Sequence, residues 1–455
     1  MLLNAFLTEY DENLGNELNI DPLGLQVIWS GFGQQIFQNR ISSISNDIRN
    51  FTMNLFNHFL IKSLVEDDSI ALGSGLRKVY DGKHDLSFKH ACLMYLENLY
   101  VYSVIAHEDA EGLESTGVLG ISKARRRWYD SNANPSLTFS HGVEAQVLVR
   151  QTLLGVSGRY KTPLLEMGYF DRHYRYNLPT ATELWQKADT LISNTPTLSR
   201  LYNLLRPHLE GLLASRVRPK ISFQDIPATL TKALVEAFPS SAAVGGRTRT
   251  FWLSTTGLNQ GASGALYKVL SSPEHEGAAA AVVFEKAMKQ PLPKDALQKL
   301  EHVRLLEPLL SELDLLFHLM LAEKSQPVHT VRQRWKALGR NASTLAACAA
   351  AIQADTSMMT VLSSTGLTRL KGLLSVAMED NADAQMDALL SYHALTMESR
   401  GQSPWVTRAD RQQLKTHVRP RGEPTLADRP PGSWVNQYYI PQFRHLLAGL
   451  HGVAA

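Results

Sequence analysis

Apolar residues recur at intervals of three or four along most of this 455-residue chain. Such spacing places them on one face of an α-helix. Ser45 is a suitable N-cap for the first clear example, and Asp47 falls in its first turn, where the helix dipole favours an anion. The apolar positions of that helix are Ile44, Ile48, Phe51, Leu55 and Phe59. This periodicity predicts a mainly α fold.

The same reasoning predicts helices over 86–106, 143–154, 182–213, 328–339, 343–354, 365–378, 382–398 and 435–450. Pro308 is expected to separate Ala296–Glu307 from Leu309–Glu323, because proline is tolerated in a first turn and not inside a helix. Residues 216–260 are the least regular part of the chain. We therefore expect a multi-helix globular array with an irregular middle region that carries a few short strands.

Charge is distributed unevenly along the chain. Residues 1–120 hold 7 Lys and Arg against 16 Asp and Glu, and residues 121–455 hold 39 against 27. The sign changes next to a run of glycines, Gly112, Gly117 and Gly120. We predict an acidic helical module over 1–120, a basic mixed module over 121–292, and a helical C-terminal module with a basic tail over 293–455. A basic body indicates a polyanionic partner.

Composition excludes several protein classes. No stretch approaches the ~18 consecutive apolar residues that a membrane helix needs, so we expect no membrane partner. The N-terminus turns acidic by Glu9 and lacks the basic start of a signal peptide. Cys92 and Cys348 are the only cysteines and lie in apolar helical stretches, which argues against a disulfide framework. These features predict a cytoplasmic protein.

Motifs of catalysis are not evident. Gly257–Gly264 followed by Lys268 lacks the spacing of a phosphate-binding loop, and no Gly-x-Ser-x-Gly elbow occurs. A small group of possible metal ligands surrounds one predicted helix, but its spacing is not that of a zinc helix: His84, His90, His107, Glu108 and Asp109. We therefore predict no catalytic residues, no metal ligands and no cofactor.

Three clusters combine arginine or lysine with aromatic residues. The guanidinium group of arginine can donate two hydrogen bonds to phosphate oxygens, and aromatic rings stack on unpaired bases. The first cluster contains Lys123, Arg125, Arg126, Arg127 and Trp128, with Tyr129, and then Arg159, Lys161, Arg172 and Arg175. The second contains Arg247 and Arg249, with Arg216, Arg218, Lys220 and Trp252. The third contains Arg408, Arg411, Arg419 and Arg421, with Arg400, Lys415, Trp434, Tyr438 and Tyr439. These clusters predict a nucleic-acid surface, with DNA the favoured ligand. The alternative for each cluster is a solvated face, or an internal partner for the acidic residues of 1–120.

Short segments at both ends of the chain show a resemblance. They are Asp21–Gly24, Phe37–Phe51, Gly117–Gly120 with the arginines after it, Arg400-Gly401 before Trp405, and Leu446–Leu450. They resemble an uncharacterised, mostly helical bacterial family found in gene neighbourhoods devoted to defence against phage. That resemblance does not cover residues 180–290. It implies a defence complex with an ATPase, helicase or nuclease as partner subunit, and it supplies no catalytic residues.

Three hypotheses follow. The leading one is a non-enzymatic subunit of a bacterial anti-phage system, which binds DNA through the basic surface and recruits a partner. The second is an effector nuclease with dispersed acidic ligands, for which His107, Glu108 and Asp109 are the candidates. The third is a structural adaptor that binds only protein.

Overall fold

The chain folds into two compact units. A computed structural model describes residues 21–242, 245–410 and 412–452. The first unit, the 39–258 unit, comprises Asn39–Leu258 and Pro441–Ala455, and the second, the 259–440 unit, comprises Met1–Gln38 and Asn259–Ile440. The predicted module boundaries at 120 and 292 follow charge and composition and fall inside these units, so the three modules stay a prediction. The N-terminal residues on which the signal-peptide expectation rests lie outside the described residues, and so does Arg411.

Helices dominate both units, which confirms the predicted mainly α fold. The first helices in chain order are α1 (Leu25–Phe37), α2 (Ile48–Glu66), α3 (Ser74–Arg77), α4 (Leu86–Ala106), α5 (Ile121–Asp130), α6 (Gln151–Leu154), α7 (Val156–Arg159), α8 (Lys161–Met167), α9 (Thr182–Asn194), α10 (Pro196–Leu213), α11 (Ala228–Ala237) and α12 (Gly246–Thr256). The others are α13 (Gly261–Leu270), α14 (Ala280–Met288), α15 (Lys294–Met320), α16 (Val328–Ala337), α17 (Ala342–Ala354), α18 (Ser364–Ala377), α19 (Ala382–Glu398) and α20 (Ile440–His451).

The strands are short and pair antiparallel. In the 39–258 unit, β1 (Ser136–Thr138) pairs with β2 (Lys220–Ser222), with Leu137 opposite Ile221. In the 259–440 unit, β3 (Ser325–Pro327), β4 (Val406–Arg408) and β5 (Gln413–Thr416) form a sheet with β5 in the centre. Among the described residues, β2 is the one strand inside the irregular stretch 216–260.

Helix α4 is the centre of the 39–258 unit. It is buried on almost every side, which is the pattern of a core helix, and it packs against α2, α5, α11 and β1. Its bounds agree with the predicted 86–106. Helix α2 packs against α4, α9 and α10. The core of this unit is therefore two long helices with shorter ones around them.

The predicted N-cap of α2 is wrong. The helix begins after Asp47, whose side chain accepts hydrogen bonds from the backbone amides of Arg49 and Asn50. Ser45 instead lies in the preceding turn, where its hydroxyl is 2.7 Å from that of Ser42. An ionised carboxylate at the N-cap satisfies two free amides and interacts favourably with the helix dipole.

The predicted helix over 143–154 is also wrong. Residues Val143–Ala145 form a single 3₁₀ turn, and a helical turn resumes only at Gln151. The side-chain oxygen of Gln151 accepts a hydrogen bond from the Val147 amide at 2.9 Å, and Arg150 has a positive φ of 53°. A side chain that bonds the local backbone replaces the helical ladder here.

In the 259–440 unit, α15 passes through Pro308 without ending there, which contradicts the predicted division. The helix is buried along most of its length and packs against α1, α14 and α17. Burial on this scale outweighs the hydrogen bond that proline removes. Glu307, beside the proline, accepts hydrogen bonds from Trp29 Nε1 and Tyr438 Oη, each at 2.7 Å.

The other predicted helices agree with the structure to within a few residues, except at the C-terminus. Helix α20 begins at residue 440 and not near 435. The backbone amides of Val435 and Asn436 donate to Glu307 Oε1 at 2.7 and 2.9 Å. Those contacts hold the segment before α20 out of the helix. No helix in the described ranges is both long enough and apolar enough to span a bilayer.

Candidate nucleic-acid interface

Helix α5 presents one apolar side and one basic side. It follows Gly120, whose φ of 83° is the left-handed conformation that glycine adopts without strain. Ala124 is buried, and the Trp128 ring stacks on Tyr102 at 6.3 Å and meets Phe223 edge-on at 5.1 Å. These contacts anchor the helix and leave Lys123, Arg126, Arg127 and Tyr129 exposed.

Lys123, Arg126 and Tyr129 lie on the exposed side of α5, at steps of three residues. Residues three apart are neighbours on a helix surface. Neither cation has a hydrogen-bond or ion-pair partner among the residues that the structure describes. Tyr129 is 72% exposed. We call these three residues the α5 face. Trp128 is packed into the unit, so the aromatic group open to a ligand is Tyr129.

Arg125 and Arg127 differ from Arg126. The Arg125 guanidinium pairs with the Glu108 carboxylate and donates to Ser115 Oγ at 2.9 Å, so it ties the loop after α4 to α5. Arg127 is exposed and lies beside Tyr102. Burial raises the pKa of Tyr102, and the nearby Arg127 makes that rise smaller. Of the three consecutive arginines, Arg126 is the one that is exposed and has no side-chain partner among the described residues.

The second half of the first cluster is largely engaged by its own unit. Arg159 Nε donates to Leu154 O at 3.0 Å, and Lys161 Nζ donates to Arg172 O at 3.1 Å. Arg175 pairs with Asp171. The side chain of Arg172 is exposed and has no partner in the described part of the chain. Within the described ranges, Arg172 is thus the free cation of this half.

Lys161 also belongs to a basic-aromatic cluster, which we define as His58, Lys89, His90, Lys161 and Tyr174. Lys161 Nζ lies 4.6 Å from the centre of the Tyr174 ring, and Lys89 Nζ donates to Tyr174 O at 2.9 Å. Burial lowers the pKa of His58 to about 3, assisted by the charges of His90, Lys161 and Lys89. Burial likewise lowers the pKa of His90 to about 4 and lowers that of both lysines. Burial therefore disfavours the protonated form of each of these four basic side chains.

The second predicted cluster is divided between bound and free side chains. Arg218 pairs with Glu144, and Arg247 donates to Asn194 O. Arg249 is half-buried. Burial lowers the pKa of His451, and the charge of Arg249 lowers it further. Trp252 is buried and donates to Thr52 Oγ1 at 3.0 Å. The exposed cations of this cluster without a partner among the described residues are Arg216 and Lys220.

The tail cluster lies in the 259–440 unit. Arg408 pairs with Asp387, and the Arg421 guanidinium lies 5.4 Å from the centre of the Trp405 ring. Arg419 is exposed. The aromatic residues of the tail are used internally, since Trp434 packs against Phe284 at 5.2 Å. This cluster leaves few groups for a ligand.

Part of the acidic region neutralises basic residues inside the 39–258 unit. Asp67 pairs with Arg206 at 2.5 Å, and Glu108 pairs with Arg125. These contacts agree with the internal-partner alternative for those two carboxylates. They do not involve the α5 face.

The candidate nuclease residues do not form a site. Glu108 is held by Arg125, and His107 Nε2 lies 3.1 Å from Thr231 Oγ1. Within the described ranges, no group of three or more His, Cys, Asp or Glu side chains is placed to hold a metal ion. The nuclease hypothesis stays an alternative without a cluster of ligands to support it.

Ser357, His302 and Asp355 come together in the 259–440 unit, and no motif in the sequence predicts this contact. Ser357 Oγ and Asp355 Oδ2 lie 2.9 and 3.3 Å from the same atom, His302 Nε2. A catalytic triad needs the acid on the other ring nitrogen, and here His302 Nδ1 is buried without a partner in the described part of the chain. The trio instead caps a 3₁₀ turn, since Asp355 accepts from the Ser357 amide.

No protein-family model, curated protein or solved structure matches this chain.

Proposed function

We propose that this chain binds nucleic acid, with DNA the favoured ligand, through the α5 face. The observation that supports this most directly lies on one side of an anchored helix, where two cations have no carboxylate partner among the described residues and a tyrosine is largely exposed. In this proposal Lys123 and Arg126 contact phosphates, and Tyr129 stacks on an unpaired base. Phosphate contacts give affinity and position with little choice of sequence.

The proposed binding has two physical components, neutralisation of phosphates by cations and stacking of bases on tyrosine. Cations that neutralise phosphates release condensed counterions, so binding weakens as salt rises. Stacking of a base on an aromatic side chain contributes about 1–3 kcal/mol and tolerates any base. Arg172, Arg216 and Lys220 are further exposed cations of the same unit. We expect the ligand to have a single-stranded segment.

The wider role rests on the resemblance stated above. In this part of the proposal the chain is a non-enzymatic subunit of an anti-phage complex, and it recruits an ATPase, a helicase or a nuclease. Co-expression with the products of neighbouring genes, followed by co-purification, tests recruitment. A chain that purifies alone from such an expression contradicts it.

The test of binding is a double charge reversal, Lys123→Glu with Arg126→Glu. Affinity for a labelled single-stranded oligonucleotide is measured by fluorescence anisotropy across a range of salt concentrations. We expect the dissociation constant to rise by about tenfold to a hundredfold at 0.1 M salt. The slope of log K against log salt should also become shallower by about 1.4, because two phosphate contacts are lost.

The matched control is Arg77→Glu with Lys78→Glu. Both side chains are exposed in the same unit, and the net charge changes by the same amount. We expect this control to bind almost as the wild type does. Equal loss in both double variants would show that overall charge, and not the α5 face, determines binding.

A further inference from the structure

A pocket in the 39–258 unit lies where two helices begin. It has a volume of about 360 Å³ and is lined by Arg49 and Thr52 of α2, by residues 194–198 and 236–240, and by residues 245–248. We call it the 194–248 pocket. Residues 194–198 include the start of α10, and residues 245–248 include the start of α12. This site is separate from the α5 face, and the inference drawn from it does not depend on the proposed function.

Both helices begin without a side-chain cap. In α10 the first helical hydrogen bond runs from the Ser199 amide to Thr195 O at 2.9 Å, which leaves the amides of Thr197 and Leu198 without an acceptor in the described ranges. Pro196, at the first position, has no amide hydrogen. The free amides at a helix start carry partial positive charge and favour an anion.

In α12 the first helical hydrogen bond runs from the Arg249 amide to Gly245 O at 3.1 Å. The amides of Gly246, Arg247 and Thr248 therefore also have no acceptor among the described residues. Within the described ranges, five amide donors without an acceptor belong to residues of two helix starts that line one pocket. A single such terminus is a common structural feature, and convergence of two in a pocket is the arrangement that suits a multiply charged oxyanion.

A buried arginine adds a separate indication of a ligand. The side chain of Arg49 is 1% exposed, and its Nε has no hydrogen-bond partner in the described part of the chain. Its terminal nitrogens donate to Glu114 O and Thr116 O at 2.9 and 2.5 Å. An unbonded buried donor on a charged group is costly. An anion in the pocket would give this nitrogen an acceptor.

Two arginines and two carboxylates lie in or near the pocket. Arg247 lies at the rim and donates to Asn194 O. The nearest carboxylate to Arg49, that of Asp47, is 3.6 Å away and caps α2. Glu236 lines the pocket too, but it pairs with Arg200 at 2.7 Å and lies 3.8 Å from Lys232. The carboxylates are thus already occupied by other groups.

We propose that the 194–248 pocket binds the terminal phosphate of a phosphate monoester. A neighbouring groove of about 590 Å³ shares Pro196 with the pocket and is lined by polar side chains that include Ser199, Asn203 and Thr229. This groove has room for the organic group that is esterified to the phosphate. Two sources share this chemistry, a free nucleotide and the phosphorylated end of a nucleic-acid strand.

The first experiment measures thermal unfolding of the whole chain in inorganic phosphate and in chloride at equal ionic strength. Because a ligand that binds the folded state stabilises it, we expect the melting temperature to rise with phosphate and not with chloride. Equal melting temperatures in the two salts overturn the proposal, whatever the α5 face does.

The second experiment uses Gly245→Asp. Gly245 has φ −67° and ψ 160°, a conformation open to any residue, and a Cβ there meets nothing within 4 Å. The new carboxylate would cap α12 and repel phosphate. We expect this variant to fold and to lose the response to phosphate, whereas Gly245→Ala keeps it. A response in Gly245→Asp equal to that of the wild type contradicts the site.

The source is distinguished with a nucleoside monophosphate and with oligonucleotides that carry a 5′-phosphate or a 5′-hydroxyl. Stronger binding of the phosphorylated strand, lost in Gly245→Asp, assigns the pocket to strand ends. Equal binding of the two strands, with stabilisation by the nucleoside monophosphate, assigns it to a small phosphate monoester. Contacts through the α5 face are the same for both strands, so the comparison isolates the pocket.

Discussion

The α5 face and the basic-aromatic cluster around His58 both belong to the 39–258 unit, but they hold their charge differently. On α5, Lys123 and Arg126 are exposed and without carboxylate partners among the described residues. In the cluster, burial lowers the pKa of His58, His90 and Lys161. The difference shows that a count of basic residues overestimates the charge available to a ligand.

Solvation explains this difference. An exposed ammonium or guanidinium keeps its hydration until it meets a phosphate, whereas a buried base loses hydration on folding and favours its neutral form. The cluster is therefore a source of pH-dependent stability, and the α5 face is a source of salt-dependent binding. Three predictions test this contrast.

The largest effect concerns acid stability. His58 and His90 have folded-state pKa values of about 3 and about 4, below the ordinary 6.5. Below pH 6.5 the unfolded chain binds protons that the folded chain does not, so stability is full above 6.5 and falls as pH decreases toward 4. Each histidine contributes up to about 1.4 kcal/mol per pH unit. Urea unfolding at several pH values measures the slope.

His58→Gln should make that slope shallower, even though loss of the 2.9 Å contact between His58 Nδ1 and Tyr176 Oη lowers stability at every pH. The control is His84→Gln, at an exposed position, which should leave the slope unchanged. A slope in His58→Gln as steep as that of the wild type would exclude His58 as its source.

The next effect separates Trp128 from Tyr129. Trp128→Ala removes the contacts with Tyr102 and Phe223 and should lower the free energy of unfolding by about 2–3 kcal/mol. Tyr129→Ala should leave stability within about 0.5 kcal/mol and weaken oligonucleotide binding by about 1–3 kcal/mol. Thermal unfolding and anisotropy on both variants make the comparison. Normal binding by Tyr129→Ala would remove stacking from the proposal.

The smallest effect separates two adjacent arginines. Arg125→Ala breaks a partly exposed pair with Glu108 and should cost up to about 1 kcal/mol of stability. Arg126→Ala should leave stability unchanged and reduce the salt dependence of binding by the contribution of one phosphate contact. Double-mutant cycles with Glu108→Ala measure the first effect. Coupling of Arg126 to Glu108 in such a cycle would contradict the structure.

Much of the fold could be predicted from sequence. The bounds of α4 and the positions of α9, α10, α18 and α19 follow from apolar spacing and capping residues, because helices are held by hydrogen bonds between near neighbours. Pro308 and residues 143–154 could not be predicted in this way. At Pro308, burial of α15 outweighs the loss of one helical hydrogen bond. In residues 143–154, the Gln151 side chain bonds the local backbone in place of helical hydrogen bonds.

The candidate sites were less predictable. The basic residues were visible as types, but neither the start of α12 nor the start of α10 was predicted. That these two starts line one pocket with Arg49 depends on how α2, α10 and α12 pack, and no local pattern contains that information. The same holds for Ser357 beside His302.

The sequence by itself determined the helical character of the chain, its uneven charge and the identity of its basic clusters, since these depend on composition and on short-range spacing. The tertiary structure decided which cations are free. Glu108 lies 17 positions from Arg125, and Asp67 lies 139 positions from Arg206. Only packing brings such groups within ion-pair distance, and this is why Arg125 became a structural tie while Arg126 stayed open to a ligand.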